Sequence, residues 1–402
     1  MTPCPTGIIV CIPAGFARPH QRDRHNTLKL KNNCQTTPSL PARDRGNIIR
    51  RIAMRPAWAY DCRMTYDIDD TSSRDSEPAL RVIVSLDVEE EGLFSGNYAA
   101  TGCGVRNVAL LRRLAPLTSD LGFPLTLFCA HTVFTNAEAC SHLAWMRDHC
   151  NAEIAAHLHH WSTPPLEGDV PPGQTKKHAP PTRTDRLPRQ LLRQRLRTLL
   201  DAGRDFQGAP LTSFRMGRWD LKDCVRPLLA EEGITFDSSV CPLRAFKDGP
   251  DHFLAPSDPY WPDDAPGLLE SPVTQIPLSR TLARLWHGCA KGADWADSFH
   301  FWGALSPNPV WHNAAVMRAA TRLHMARGGK VLSLFWHSSE MLPGGSPNIP
   351  DQRAADALYN KIYAFLAWLA RNYAVRGVTA AQLRTQAASL DFGPRPAGKG
   401  DW

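Results

Sequence analysis

The order of apolar and polar positions along the chain predicts a series of buried strands from residue 81 onward. Short, mostly apolar runs of strand length recur there, as expected for strands of a parallel sheet that are covered on both faces. Six such runs are predicted to be strands, at residues 82–86, 125–128, 153–157, 212–215, 234–237 and 331–336.

Between these runs, apolar residues recur at the three- and four-residue spacing of amphipathic helices. The predicted helices span residues 105–121, 136–149, 187–200, 222–232, 313–327 and 351–372. Pro-rich segments, at 162–187 and 242–275, are predicted to be irregular. Strands and helices therefore alternate, which predicts an α/β fold with parallel strands, as a barrel or a doubly wound sheet.

The two ends of the chain lack this periodicity. Residues 1–80 are predicted to be a disordered basic extension, and residues 391–402 a flexible tail. The formal net charge of the 402 residues is +7, but residues 1–63 alone hold eleven Lys or Arg against three acids. The rest of the chain is therefore near neutral, and no nucleic-acid partner is expected.

Cysteines and hydropathy bear on the cellular compartment. The eleven cysteines are an odd number without a CxxC pair, which favours reduced thiols in a cytoplasmic protein. The apolar run at residues 7–17 is broken by Pro13 and lacks a basic flank, so no signal peptide is expected. No apolar stretch is long enough to predict a transmembrane helix, and nothing in the sequence predicts an oligomeric state.

Candidate chemistry begins directly after the first apolar run, where Asp87 and Glu89 stand two residues apart. Side chains two apart in a strand point to the same face, and polar groups at the carboxyl ends of parallel strands form active sites. Two carboxylates on one face repel each other unless a cation or a shared proton compensates them. The alternative is a strand that runs into an acidic, solvent-exposed loop.

The third predicted strand ends in His157, and His159 follows two residues later. Two neutral imidazoles and a carboxylate form a common site for a divalent metal ion, with positions left for water and substrate. The alternative is that these histidines are structural hydrogen-bonding groups.

Arg215 and His337 follow two later predicted strands. Arg215 needs a carboxylate partner there, and could either hold a catalytic aspartate ionised or form a structural salt bridge. His337 could donate a proton to a departing amine, particularly with a carboxylate nearby to tune it.

In this order, the segments resemble the polysaccharide-deacetylase family, also called the NodB-homology or fourth carbohydrate-esterase family, and particularly its WalW-like subgroup. The resemblance extends over residues 81–383, and six segments carry it, at 86–90, 126–128, 153–165, 213–219, 236–240 and 335–340. It implies a distorted (β/α)7-type barrel for a catalytic domain at residues 81–390. It also implies one divalent metal ion, usually zinc.

The resemblance also implies a role for each candidate residue. Asp87 would be the general base, Arg215 would orient it, and His337 would be the general acid. Glu89 and His157 would bind the metal ion. The family's second metal histidine would fall on Trp161, so His159 is the expected replacement. Residues expected to contact the substrate are Trp161, Trp219 and Glu340.

These roles predict a metal-dependent hydrolase that removes N-acetyl groups from an amino sugar or a polysaccharide precursor. One alternative is a metal-dependent amidohydrolase that acts on a small non-carbohydrate C–N bond. Another is a catalytically silent carbohydrate-binding protein on the same scaffold, in which Trp161 marks a lost metal ligand. A cytoplasmic carbohydrate substrate is expected from the absence of a recognisable secretion signal.

Overall fold

The computed structural model describes residues 80–96, 98–166, 175–176, 183–394, 400 and 402, all within one compact unit that spans residues 64–402. The predicted extension lies outside the described residues, except that Leu80 is the first residue of the first strand. In the predicted flexible tail, Trp402 is buried against Leu243, Phe253 and Phe299, so this residue is packed.

The described residues form twelve strands: β1 Leu80–Val88, β2 Tyr98–Ala99, β3 Leu125–Cys129, β4 Glu153–Leu158, β5 Thr175–Lys176, β6 Ser213–Met216, β7 Phe236–Asp237, β8 Leu269–Glu270, β9 Ile276–Pro277, β10 Ala304–Leu305, β11 Val331–His337 and β12 Val375–Gly377. They also form ten α-helices: α1 Ala115–Ser119, α2 His131–Phe134, α3 Ala137–Cys150, α4 Arg189–Gln207, α5 Arg226–Glu231, α6 Arg280–Ala290, α7 Phe299–Trp302, α8 Ala314–Ala326, α9 Gln352–Asn372 and α10 Ala380–Gln386. None of these helices is long and apolar enough to cross a membrane.

The main sheet is parallel and curled. Its strands follow the order β11-β1-β3-β4-β6-β7-β8, and β12 pairs with the start of β1. The chain just beyond β8 returns to the opposite edge, where the Thr274 N–H donates to the Ser333 carbonyl at 2.9 Å. The Ser333 N–H donates in turn to the Thr274 hydroxyl at 2.8 Å. The predicted α/β fold with a parallel, barrel-like sheet is thus confirmed.

Strand β1 shows how the sequence divides the two faces of this sheet. Val82, Val84 and Leu86 belong to the large core, which also contains apolar residues of the surrounding helices. Ile83 belongs to a second cluster, together with Phe128, Phe236 and other residues of neighbouring strands. Because side chains alternate along a strand, Ser85 and Asp87 share the face of Ile83, inside the curl.

Most predicted elements are present, and the exceptions have local causes. Residues 105–121 form a 3-10 segment at Arg106–Leu114 followed by the short α1, instead of one α-helix. Pro116 near the start of α1 has no N–H to continue an α-helical ladder. Helix α5 is shorter than expected, and the segment at 242–275 predicted to be irregular contains β8, whose two residues are too few for a sequence pattern.

Candidate metal centre and active site

The predicted site residues meet at the carboxyl ends of four strands. Asp87 of β1 lies directly opposite His337 of β11 in the strand register. His157 of β4 lies opposite Arg215 of β6 in the same way. Strand β3 stands between β1 and β4, and its curvature brings the two pairs together inside the sheet.

Glu89, His157 and His159 form a buried cluster that could hold a metal ion. One ligand atom from each of the three lies within 4.8 Å of the other two. The Glu89 Oε2 atom is 3.5 Å from His157 Nε2 and 3.3 Å from His159 Nε2. One carboxylate and two imidazoles are a donor set suited to zinc, and a tetrahedral ion would keep a fourth position open.

Outer partners orient both histidines toward this cluster. The Nδ1 atom of His157 is 3.0 Å from the Arg215 carbonyl oxygen, which can only accept a hydrogen bond. The Nδ1 atom of His159 is 3.0 Å from the Glu90 carboxylate. Each ring therefore donates from Nδ1 and turns its Nε2 atom toward Glu89, as metal-binding histidines do. The residues present thus fit a divalent ion.

Glu90 is a site residue that the sequence analysis missed. It is fully buried, and it accepts a hydrogen bond from the Ser162 hydroxyl at 2.6 Å as well as contacting His159. Strand alternation would place Glu90 on the face opposite Asp87 and Glu89. However, β1 ends at Val88, so the alternation no longer applies at Glu90. The available indication was the run of three acids at residues 89–91.

The centre holds an excess of buried carboxylates. Asp87, Glu89, Glu90 and Glu340 are at most 4% exposed, whereas Arg215 is the fixed cation that contacts Asp87. Burial lowers the pKa of His159, but Glu90 and Glu89 outweigh it and raise this pKa to about 10. Burial alone would raise the pKa of Glu89. The combined effect of His337, His157 and His159 is larger, and the pKa of Glu89 is lowered well below its ordinary value. The pocket therefore attracts positive charge, as protons or as a metal ion.

Arg215 fixes the carboxylate of Asp87. Its Nη1 donates to Asp87 Oδ1 at 2.6 Å, and its Nε and Nη2 donate to Ser238 and Ser85 at 3.0 Å. The guanidinium carbon lies 4.2 Å from the centre of the Phe128 ring. Because these contacts hold one carboxylate oxygen, Oδ2 remains directed toward His157 and His337, at 3.9 and 3.8 Å from their Nε2 atoms.

His337 lies on the other side of the centre. Its side chain is 20% exposed, whereas that of Asp87 is 5% exposed. Its Nδ1 lies 3.1 Å from Glu340 Oε2, which also accepts from the His337 backbone N–H at 3.0 Å. Burial lowers the pKa of His337, but Glu89, Glu340 and Asp87 raise it to about 9. Glu340 was predicted to contact the substrate. In the structure it is buried and holds His337.

The two tryptophans that are predicted to contact the substrate, Trp161 and Trp219, lie beside the centre. Trp161 is 2% exposed and stacks on the His159 ring with centroids 4.3 Å apart, so its ring offers little surface to a sugar. Trp219 is half-buried and meets the Phe335 ring edge-on at 4.9 Å. Gly217 makes room for His159, because a Cβ atom on Gly217 would lie 2.4 Å from the ring carbon Cδ2. Substrate contacts of both tryptophans stay predictions.

Comparisons with known proteins give matches among solved structures. No family model matches the chain, and no curated protein matches it. A protein named as a polysaccharide deacetylase from Mycobacterium smegmatis is 16% identical, with 81% of this chain and 96% of that chain covered and a TM-score of 0.49. The Puue allantoinase is 14% identical, with 78% and 92% covered and a TM-score of 0.47.

A third match is a family 4 carbohydrate esterase from Streptomyces lividans in complex with acetate. It is 12% identical, with 73% of this chain and 91% of that chain covered and a TM-score of 0.35. The family that the sequence resembles is thus found among the similar structures, whereas the WalW-like subgroup is not confirmed. At these identities and TM-scores, the activity has to be argued from the residues of the site.

Proposed function

We propose that this protein is a metal-dependent hydrolase that removes N-acetyl groups from an amino sugar or a polysaccharide precursor. The observation that carries the proposal is the convergence of Glu89, His157 and His159 on one buried point. Asp87 and His337 stand beside this point with their facing atoms 3.8 Å apart. A cation site flanked by a carboxylate and an imidazole suits the hydrolysis of an amide.

Glu89, His157 and His159 would hold one divalent ion, with zinc as the expected metal. When bound there, the ion would polarise the amide carbonyl and make water more acidic. The chain supports this by fixing both imidazole rings through Arg215 and Glu90, so that the ligand atoms are arranged before the ion arrives.

Asp87 and His337 would move the protons of the reaction. Asp87 Oδ2 would accept a proton as water adds to the amide carbon, while Arg215 holds Oδ1. His337 Nε2 would then donate a proton to the nitrogen as the C–N bond breaks, leaving acetate and a free amine. Glu340 on Nδ1 favours the protonated ring that this step needs.

The residues of the site favour an enzyme over a catalytically silent binding protein, but they do not separate a deacetylase from an amidohydrolase. A catalytically silent binding protein was considered because Trp161 occupies the position of a metal histidine. His159 lies within the cluster that could hold an ion and would supply the missing ligand, which supports the enzyme over the silent protein. An amidohydrolase for small C–N bonds would need the same residues, so only substrates separate it from a deacetylase.

The test is acetate release by the zinc-loaded protein from N-acetylated amino sugars and their oligomers, beside a set of small cyclic amides. We expect acetate from a sugar, and a loss of about 10²–10⁴ in rate in Asp87→Asn and in His337→Ala. Asp120→Asn, an exposed aspartate, is the matched control. Hydrolysis of the cyclic amides alone would establish the amidohydrolase, and sugar binding without hydrolysis would establish the silent protein.

A cytoplasmic location also stays a proposal. It was expected from the odd number of cysteines and the lack of a CxxC pair. Fractionation of cells that express the full chain would test it.

A further inference from the structure

A cluster of exposed apolar side chains lies on α6, α7 and the segment between them. Among the described residues, seven large apolar side chains are exposed, and six of them fall within residues 278–302. These six, called the apolar face below, are Leu278, Leu282, Leu285, Trp295, Phe301 and Trp302. Single exposed apolar side chains are ordinary on a protein surface, whereas a cluster of this kind marks a surface that another molecule covers.

Helix α6 directs its small side chains inward and its large ones outward. Ala283 and Ala290 are buried, and Ala283 belongs to the same buried cluster as Phe299. Leu282 and Leu285 are 44% and 62% exposed. A surface helix that only covers a core does the reverse, with its large apolar residues turned inward. The outward side of α6 is therefore apolar for a reason other than the core of its own chain.

Contacts between the helices hold the exposed rings in place. Trp286 is half-buried, and its ring meets the rings of Trp295 and Trp302 edge-on, with centroids 4.8 and 5.0 Å apart. The Leu278 N–H donates to the Gly303 carbonyl at 2.9 Å, so Leu278 lies beside α7. Side chains that are already fixed lose less conformational entropy when a partner covers them. The apolar face is thus one surface with ordered aromatic residues.

The area of the apolar face is close to that of one side of a protein–protein interface. With roughly 180 Å² for a large apolar side chain that is fully exposed, the six side chains leave roughly 600 Å² open to solvent. A standard interface covers about 800 Å² on each partner, with an apolar centre and a polar rim. The apolar face therefore supplies most of the area that a stable dimer needs, and the polar side chains around it can supply the rim.

The charged residues around the apolar face are of both signs. Residues 278–302 hold three Lys or Arg and two Asp. Both acids are paired, Asp294 with Lys247 at 2.8 Å and Asp297 with Arg244 at 2.6 Å. A helix that binds an anionic membrane instead has a polar face rich in Lys and Arg. This rim fits a protein partner with both signs of charge better than a lipid surface.

We infer that the apolar face binds the same face of a second copy of this chain, in a dimer with twofold symmetry. A twofold interface joins one surface to itself, and an apolar surface meets this condition because it brings no like charges together. The leucines of one α6 would pack between those of the other, as ridges of one helix pack into grooves of its neighbour. Buried Trp and Phe side chains are common anchors of such interfaces. The inference does not depend on the proposed hydrolase function.

The first test is the mass of the full chain in solution, measured by light scattering after size-exclusion chromatography over a range of concentrations. We expect twice the 44.6 kDa of one chain, with a dissociation constant of about 10 μM or below. Leu285→Glu and Phe301→Glu should each weaken the dimer by about tenfold to a hundredfold, because each would bury an unpaired charge. Ala357→Glu, at an exposed position of α9, adds the same charge elsewhere and should leave the dimer intact.

A second test identifies what covers the apolar face and needs no charged variant. Phe301 is replaced by the photoreactive analogue benzoylphenylalanine in the full chain, isotope-labelled and unlabelled protein are mixed, and the mixture is irradiated. Mass spectrometry then identifies the cross-linked peptides. We expect cross-links that join a labelled to an unlabelled peptide, both from residues 278–302.

A monomer at every concentration, or a dimer that Leu285→Glu and Phe301→Glu leave unchanged, would overturn the inference. Cross-links from position 301 to residues 1–79 of the same chain would show that the chain covers its own apolar face. A monomer that binds vesicles of anionic phospholipid, and loses this binding in Leu285→Glu, would assign the face to a membrane. Either of these two results would also contradict the dimer.

Discussion

At the scale of single residues, the candidate metal centre depends on the side chains that hold the proposed ligands as much as on those ligands. His159 stands two residues after His157, and its ring is fixed between Glu90 on one side and Trp161 on the other. Trp161, at the position where the resemblance places the second metal histidine, thus packs on His159, the residue proposed to replace that ligand.

Replacing Glu90 by Gln is expected to weaken zinc binding by about tenfold to a hundredfold, because the amide no longer orients His159 with a full negative charge. Calorimetric titration of the metal-free protein with zinc would measure this. Glu91→Gln is the matched control, because Glu91 contacts Arg106 instead of the centre. Equal zinc affinity in the two variants would remove Glu90 from the account.

Zinc binding should also release protons. The pKa of His159 is raised to about 10, so its ring is protonated at pH 7.5 and must lose that proton to bind a metal ion through Nε2. The zinc affinity should therefore fall as the pH is lowered. Calorimetry in buffers of different ionisation enthalpy should show about one proton or more released per zinc ion at pH 7.5. A histidine of ordinary pKa would release only about a tenth of a proton, and that result would contradict this interpretation.

At the scale of elements, the sequence predicted the strands that carry the site because both of their faces are apolar. The run at residues 82–86 is the centre of β1, and the run at 331–336 is β11 without its last residue. The sequence could not predict where alternation stops. Glu90 was missed because β1 ends two residues earlier. Glu340, predicted to contact the substrate, lies in a 3-10 turn, Ser338–Met341, that directs its carboxylate to His337, and its substrate contact stays a prediction.

The turn after β6 leaves space for the ring of His159, a proposed metal ligand, because Gly217 in this turn has no side chain. Gly217→Ala is expected to destabilise the protein by about 1–3 kcal/mol and to weaken zinc binding, because the new methyl group would meet the His159 ring and the Leu158 carbonyl. Thermal unfolding and zinc titration would measure both effects.

The control for this substitution is Gly288→Ala in α6, where a Cβ atom would meet nothing within 4 Å. Alanine there should stabilise the protein by about 0.5–1 kcal/mol, because it favours the helix more than glycine does. If Gly217→Ala binds zinc as tightly as Gly288→Ala, the proposed role of Gly217 in placing His159 is wrong.

At the scale of the whole molecule, the curled sheet unites residues that are far apart in sequence. Asp87 and His337 are 250 positions apart, and the register of β1 and β11 places them side by side. The alternation of strands and helices was sufficient to predict a parallel α/β fold. It could not predict the closing contact at Thr274 and Ser333, which uses two hydrogen bonds in place of a strand pair and leaves no periodic pattern.

The central claim is that Glu89, His157 and His159 hold one metal ion, and the metal content of the purified protein tests it most directly. After incubation with zinc and dialysis, the wild type and the exposed-histidine control His149→Ala should retain one zinc ion per chain, whereas His159→Ala should lose it. Absence of bound metal in the wild type, even after added zinc or cobalt, would contradict the account, as would full retention of zinc by His159→Ala.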